Sequence, residues 1–148
     1  MEAGITGLII RDAILPDGGP LCEMLEQLGY PETAGFITEK IQTLTTRPDA
    51  RLLVAELDGL PIGLISIHFI PQLALRGDFA RISYFVVAET TRNLGIGRAI
   101  ESKLEVLARE RGCDRIEVHC HTRRTKAHRF YVDLGYEESP KYFIKRLR

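Results

Sequence analysis

The stretch Arg92-Asn93-Leu94-Gly95-Ile96-Gly97 has the residue types of a loop that holds phosphate oxygens. Glycines let a backbone approach a ligand with no Cβ in the way. Ile96, Ala99, Ile100, Leu104 and Leu107 then recur at helical spacing, so the glycines open directly into a helix. The first turn of a helix gathers unpaired N–H groups, and the helix dipole adds partial positive charge at the same point. Together these grip phosphate. The segment feeding the loop, Ile82-Ser83-Tyr84-Phe85-Val86-Val87, is β-branched and aromatic and reads as a strand closed by Glu89-Thr90-Thr91.

Two familiar phosphate loops do not fit. The ATP/GTP-type loop needs Lys and Ser/Thr after its last glycine, where this chain has Arg98 and Ala99. The dinucleotide fingerprint needs a third glycine where Ile100 stands, and its turn must sit tight against the strand end, whereas Glu89–Asn93 intervenes. A dinucleotide oxidoreductase is not expected.

The pattern Arg92-x-x-Gly95-x-Gly97 resembles the acetyl-CoA loop of the GNAT N-acetyltransferase superfamily, and Ala127-His128-Arg129-Phe130-Tyr131-Val132-Asp133-Leu134-Gly135-Tyr136 resembles its A-x-x-F-Y-x-x-x-G-[FY] segment. The two blocks lie in the family's order and span roughly the C-terminal half of the chain. The run Ala127–Leu147 is similar to bacterial aminoalkylphosphonate N-acetyltransferases, with looser similarity to antibiotic and polyamine acetyltransferases. The resemblance implies an enzyme moving the acetyl group of acetyl-CoA, its co-substrate, directly to a primary amine of a small molecule such as an aminophosphonate, polyamine or aminoglycoside. An acyl-CoA sensor without turnover and a protein or peptide N-acetyltransferase are the alternatives.

The resemblance also assigns residues. Backbone N–H groups of Leu94, Gly95, Ile96, Gly97, Arg98 and Ala99 would hold the pyrophosphate, with Asn93 in the loop and the side chains of Arg92 and Arg98 flanking it. The pantetheine arm would pair like an extra strand with Phe85, Val86 and Val87. Tyr131 matches the family tyrosine that contacts CoA and protonates the departing sulfur. Arg124, beside Arg123 and Lys126, stands where relatives usually have Asn, as a partner for a CoA phosphate.

The base departs from the pattern. Many relatives carry a glutamate on the strand before the loop; this chain has Arg81, Ser83 and Tyr84 there. Glu117, His119 and His121 share one face of the alternating run Ile116–His121, and His68 ends an earlier strand. Imidazole titrates near neutrality, so His119 is the expected base, acting through water, with Glu117 beside it. A site with no dedicated base is the alternative. Histidines 119 and 121 with His68 have metal-binding types, but a full ligand set is not recognisable, and no metal is expected.

The elements around these residues follow in order. Ile5–Asp12 reads as a strand, and Leu21, Met24, Leu25 and Leu28 form a helical stripe stopped by Gly29-Tyr30-Pro31. A second helix is expected from Glu32 or Thr33 to before Pro48. Arg51–Leu57 and Leu60–Phe69 flank Asp58-Gly59 as a hairpin, and Phe79–Val87 follows a loop. Ile116–His121 is expected as a strand parallel to Phe79–Val87, and Tyr136–Ser139 and Tyr142–Leu147 as short closing strands. The resulting fold class is α/β (α+β): a mixed, mainly antiparallel sheet with flanking helices, one domain over residues 1–148.

Composition agrees. A chain of 148 residues with 45% hydrophobic and 27% charged residues has the size and balance of one globular domain. Twenty basic and twenty acidic residues give zero formal net charge, which argues against a nucleic-acid partner. Cys22, Cys113 and Cys120 lack metal-type spacing and read as reduced thiols of a cytoplasmic protein. No secretory pattern or membrane-length apolar run is read. Tyr142 and Phe143 near the chain end support a homodimer.

Overall fold

Apolar runs joined by short turns pair with their neighbours in sequence. In the computed structural model, which describes residues 4–120, 124–139 and 142–148, β1 (Leu8–Asp12), β2 (Ala50–Leu57), β3 (Leu60–Ile70) and β4 (Phe79–Val87) pair antiparallel in that order. β5 (Arg115–Val118) adds parallel to β4 after the crossover helix α3 (Ile96–Glu110). The hairpin turn has φ of 52° at Asp58 and 84° at Gly59, the left-handed pair that matches strand twist.

Each face of the sheet has its own core. On one side Leu53, Ile65, Ile67, Ala80 and Ile82 meet Ile96, Ile100, Leu104 and Ala108 of α3. On the other, Leu52, Val54, Leu64 and Val86 meet Leu21 and Met24 of α1 (Gly18–Leu28) and Ile37 and Ile41 of α2 (Ile37–Thr46). The helix α4 (Thr125–Asp133) follows β5. Among the described residues no helix is long and apolar enough to cross a membrane.

Three boundaries differ from expectation. α2 begins at Ile37 because Glu32 is left-handed, φ 62°, and the N–H groups of Phe36 and Ile37 both turn back onto the Thr33 carbonyl. β5 ends at Val118, although the apolar alternation continues to Cys120, because its ladder with β4 stops at the Ile82–Val118 pair; His121 lies outside the described residues. The closing strands do not form: among the described residues of 136–148 none is in a strand. A strand needs a ladder partner, and the four-residue β5 supplies none to this tail.

Candidate active site

The strand before the loop is bent by one extra residue. Ile67 pairs with Ile82 and Ser66 with Tyr84, so Ser83 is an unpaired bulge. The bulge flips the alternation: Ala80 and Ile82 face α3 upstream of it, and Phe85 and Val87 pack on that same side downstream. It also coincides with the end of the β4–β5 ladder. From Ser83 onward β4 keeps its bonds to β3, while no described strand pairs with its other edge. The backbone of Phe85, Val86 and Val87 therefore borders an opening into which an extended chain can hydrogen-bond.

Beyond β4, Ala88 donates its N–H to the Ile62 carbonyl at 2.7 Å, and a 3-10 turn at Glu89–Thr91 carries the chain round. Gln27 at the end of α1 accepts from the Glu89 N–H at 3.1 Å, tying that helix to the loop. Arg92 folds back and its Nε donates to the Val87 carbonyl at 3.1 Å. Asn93 and Gly95 are both left-handed, with φ of 69° and 84°. The first bond of α3 runs from the Ala99 N–H to the Gly95 carbonyl, so the N–H groups of Ile96, Gly97 and Arg98 have no carbonyl one turn back. No side chain caps them. Ile96, Ile100 and Leu104, each at most 1% exposed, fix the helix beneath. A Cβ on Gly95 would meet only Ile5, 3.9 Å away, so this bend is open. Leu94 and Arg98 are exposed beside it. Free N–H donors, a helix dipole and two guanidinium side chains are the donor set a diphosphate needs.

The helix α4 carries Phe130 and Tyr131 to the same opening. The Tyr131 ring packs edge-on against Phe85, with centroids 6.4 Å apart, and against Phe130 and Tyr136 at 5.3 and 5.2 Å. Burial drives its pKa up, nearby Cys120 and Glu101 push the same way, and Arg124 opposes them. The phenol stays protonated through the neutral range, and no described residue accepts its hydrogen bond.

Residues 21–136 match the profile described as the Acetyltransferase (GNAT) family. The chain belongs to the GNAT family. It is 30% identical to an aminoalkylphosphonate N-acetyltransferase from Salmonella typhimurium over 129 residues, covering 86% of this chain and 80% of that protein. A GNAT family acetyltransferase from Staphylococcus aureus superposes with a TM-score of 0.81 at 22% identity, over 96% of this chain and 100% of that one. A structure described as a transcriptional regulator from Bacillus halodurans gives 0.86 at 23%, over 95% and 99%. The protein is thus an acetyl-CoA-dependent acetyltransferase, and its sheet has the GNAT architecture.

The expected base residues each have a partner of their own in this GNAT domain. Glu117 is bound by Arg81, its register partner on β4, at 2.7 Å from Nη2 and 3.3 Å from Nε. His68, also opposite Arg81 in register, completes a row across three strands on the α1–α2 side of the sheet. His119 stacks on Tyr142, ring centroids 4.5 Å apart and 13° from parallel. Neither Glu117 nor His119 touches Tyr131 through any described ring contact or hydrogen bond. Arg124 stands at the start of α4, where its carbonyl accepts from His128. His121 and Arg123 lie outside the described residues. Among the described residues no group of three His, Cys, Asp or Glu side chains is disposed to hold a metal.

Sequence reasoning passed over Glu101. It lies on α3, one residue from the core position Ile100, where a charged residue reads as a solvated helix flank. Instead it is 1% exposed, and its Oε2 accepts from the Tyr136 hydroxyl at 2.8 Å. Desolvation, then Glu105 one turn on, raise its pKa to about 7, against the Tyr136 bond and the charge of Arg98. The single available signal was spacing: Glu101 is four residues from Gly97 and shares its flank of the helix.

Proposed function

We propose that this chain, as one domain over residues 1–148, transfers the acetyl group of acetyl-CoA to the primary amine of a small molecule, with an aminoalkylphosphonate as the first acceptor to test. The substrate class rests on the relative of that name. The observation that carries the site is the Tyr131 ring against Phe85 where β4 parts from β5, one turn of chain from the open N–H groups of α3. In this reading the first-turn N–H groups of α3, with Asn93, Leu94, Arg98 and Ala99 around them, hold the CoA diphosphate. Arg92 Nε is committed to Val87, which leaves its terminal nitrogens for phosphate. Arg124 serves a further CoA phosphate. The pantetheine arm lies along Phe85–Val87, with its thioester next to Tyr131.

The amine nitrogen attacks the thioester carbonyl, the C–S bond breaks, and the amine sheds one proton while the sulfur leaves as thiolate. Burial raises the Tyr131 pKa, so complete proton transfer to a thiolate is uphill. Tyr131 acts chiefly as a hydrogen-bond donor to sulfur as charge develops there. The amine proton passes to water, relayed toward the Arg81–Glu117–His68 row or toward His119. This row lies on the face covered by α1 and α2, with Tyr84 and Tyr30 in edge contact at 5.2 Å nearby, and so favours an acceptor arriving from that side.

Thiol release measured over aminoalkylphosphonates, polyamines, aminoglycosides and peptide N-termini tests the reading. Turnover with a small amine, and none with peptides, is expected; turnover confined to peptides overturns the substrate class. A homodimer in the cytoplasm completes the proposal. The dimer is supported by Tyr142, Phe143, Ile144 and Leu147, which are 60, 93, 63 and 90% exposed, and a monomer mass by sedimentation contradicts it.

A further inference from the structure

We infer that buried Glu101 and half-buried Tyr136 form a latch that sets the position of Tyr131, making Glu101 a positioning residue for acetyl transfer. The inference rests on the reading of Tyr131 given above.

The latch begins at the end of α4. Gly135 is left-handed, φ 95°, its N–H bonds to the Val132 carbonyl at 3.0 Å, and the Tyr136 N–H bonds to the Tyr131 carbonyl at 3.0 Å. This is the pair of bonds that closes a helix when its final glycine turns left-handed, and it usually brings the side chains of the two bonded ends together. Here it does: the Tyr131 and Tyr136 rings are 5.2 Å apart. Tyr136 is therefore coupled to Tyr131 twice, through backbone and through ring.

The far end of Tyr136 is coupled to α3. Its hydroxyl donates to Glu101 Oε2 at 2.8 Å. Four residues earlier on the same flank, Gly97 approaches the Phe130 ring, so α4 and its exit lie along residues 97–101 of α3. The helix whose first turn faces the phosphate loop thus also holds the tyrosine by way of one carboxyl. A hydrophobic side chain at 101 would fill this place without a desolvation cost. The carboxyl adds a fixed distance and direction.

Glu101 Oε1 has no hydrogen-bond partner among the described residues. The charged groups facing Glu101 are Glu105 and Arg98 on its own helix, and the phenols of Tyr136 and, further off, Tyr131 come from the α4 side. With acidic Glu105 as neighbour and Oε1 unpartnered, burial favours the acid form of Glu101, which still accepts from Tyr136. It holds that form up to about pH 7.

Tyr136→Phe, Glu101→Leu and Glu101→Gln test the latch, with Tyr131→Phe alongside. Two readouts are taken on full-length protein: phenol titration by 13C-tyrosine NMR, and steady-state thiol release with acetyl-CoA and 2-aminoethylphosphonate. Tyr136→Phe and Glu101→Leu should move the Tyr131 titration downward as its ring loosens, and lower kcat roughly 10- to 100-fold with KM for acetyl-CoA little changed. Glu101→Gln keeps an acceptor oxygen and should restore kcat, while its lost charge still lowers the Tyr131 titration. Tyr136→Phe removes one atom and is the variant least prone to unfold, so an unmoved Tyr131 titration in it overturns the latch. So does a rise in KM with kcat intact. If Tyr131→Phe turns over like wild type, the reading of Tyr131 falls instead, and a shifted titration in Tyr136→Phe still supports the latch.

Discussion

A Cβ on Gly97 would lie 3.4 Å from the edge of the Phe130 ring, so the loop end of α3 and helix α4 meet there with room for no more than a methyl group. The two loop glycines consequently have different roles. Gly95 is left-handed and open to solvent; Gly97 is a packing contact that sets where Phe130, and with it Tyr131, comes to rest.

Gly97→Ala should fold and keep most of its turnover. Gly97→Val should displace Phe130 at a cost of about 1–3 kcal/mol and depress kcat as well as acetyl-CoA affinity. Gly95→Ala should cost about 1–2 kcal/mol through its φ and act chiefly on affinity. Calorimetry with acetyl-CoA beside melting curves separates these, and a Gly97→Val protein of wild-type stability would contradict the contact.

Leu104 is fully buried between α3 and the sheet, whereas Val106, two residues on, is 49% exposed. Leu104→Ala should lose about 2–5 kcal/mol in urea denaturation. Val106→Ala should stay within about 0.5 kcal/mol of wild type. Equal losses would contradict the face of α3 assigned here.

Two carboxyls should give opposite pH slopes. Asp17 is 3% exposed; burial pushes its pKa up, but the Arg11 guanidinium at 2.8 and 2.9 Å and the Ile14 N–H at 2.8 Å hold it below the ordinary value. A lowered folded pKa means that its stabilisation is complete above about pH 4 and disappears as pH falls through the folded value. Glu101 is raised to about 7, so its contribution is complete below its unfolded value and is lost as pH rises to 7. Melting temperature against pH should show Asp17→Asn losing the acid limb and Glu101→Gln losing the decline toward pH 7. A Glu101→Gln profile parallel to wild type would contradict the buried acid.

Much of this arrangement was legible in the sequence, and what was not has physical reasons. Glycine positions and alternation announced the strand–loop–helix unit, and Asp58-Gly59 announced its hairpin, because turn geometry restricts residue type. The Ser83 bulge left no local mark, since serine is at ease in a strand or a bulge and only the register with Ser66 and Ile67 reveals it. That hidden residue also explains β5: the alternation to His121 predicted a longer strand, but β4 had already turned away after Ile82. Closing strands at Tyr136–Ser139 and Tyr142–Leu147 were over-read from β-prone residues that have no ladder partner among the described residues. Glu101 was invisible because its partner Tyr136 lies past the end of α4, 35 residues further along the chain.

The most direct test of the account is Tyr131→Phe, which keeps the ring against Phe85 and Tyr136 and removes only the donor. Thiol release is followed at saturating 2-aminoethylphosphonate and acetyl-CoA, with a melting curve on both proteins. Loss of a positioned donor to developing charge predicts a fall in kcat of about 10²–10³-fold, with acetyl-CoA affinity and melting temperature nearly unchanged. A kcat within about two-fold of wild type would contradict the account.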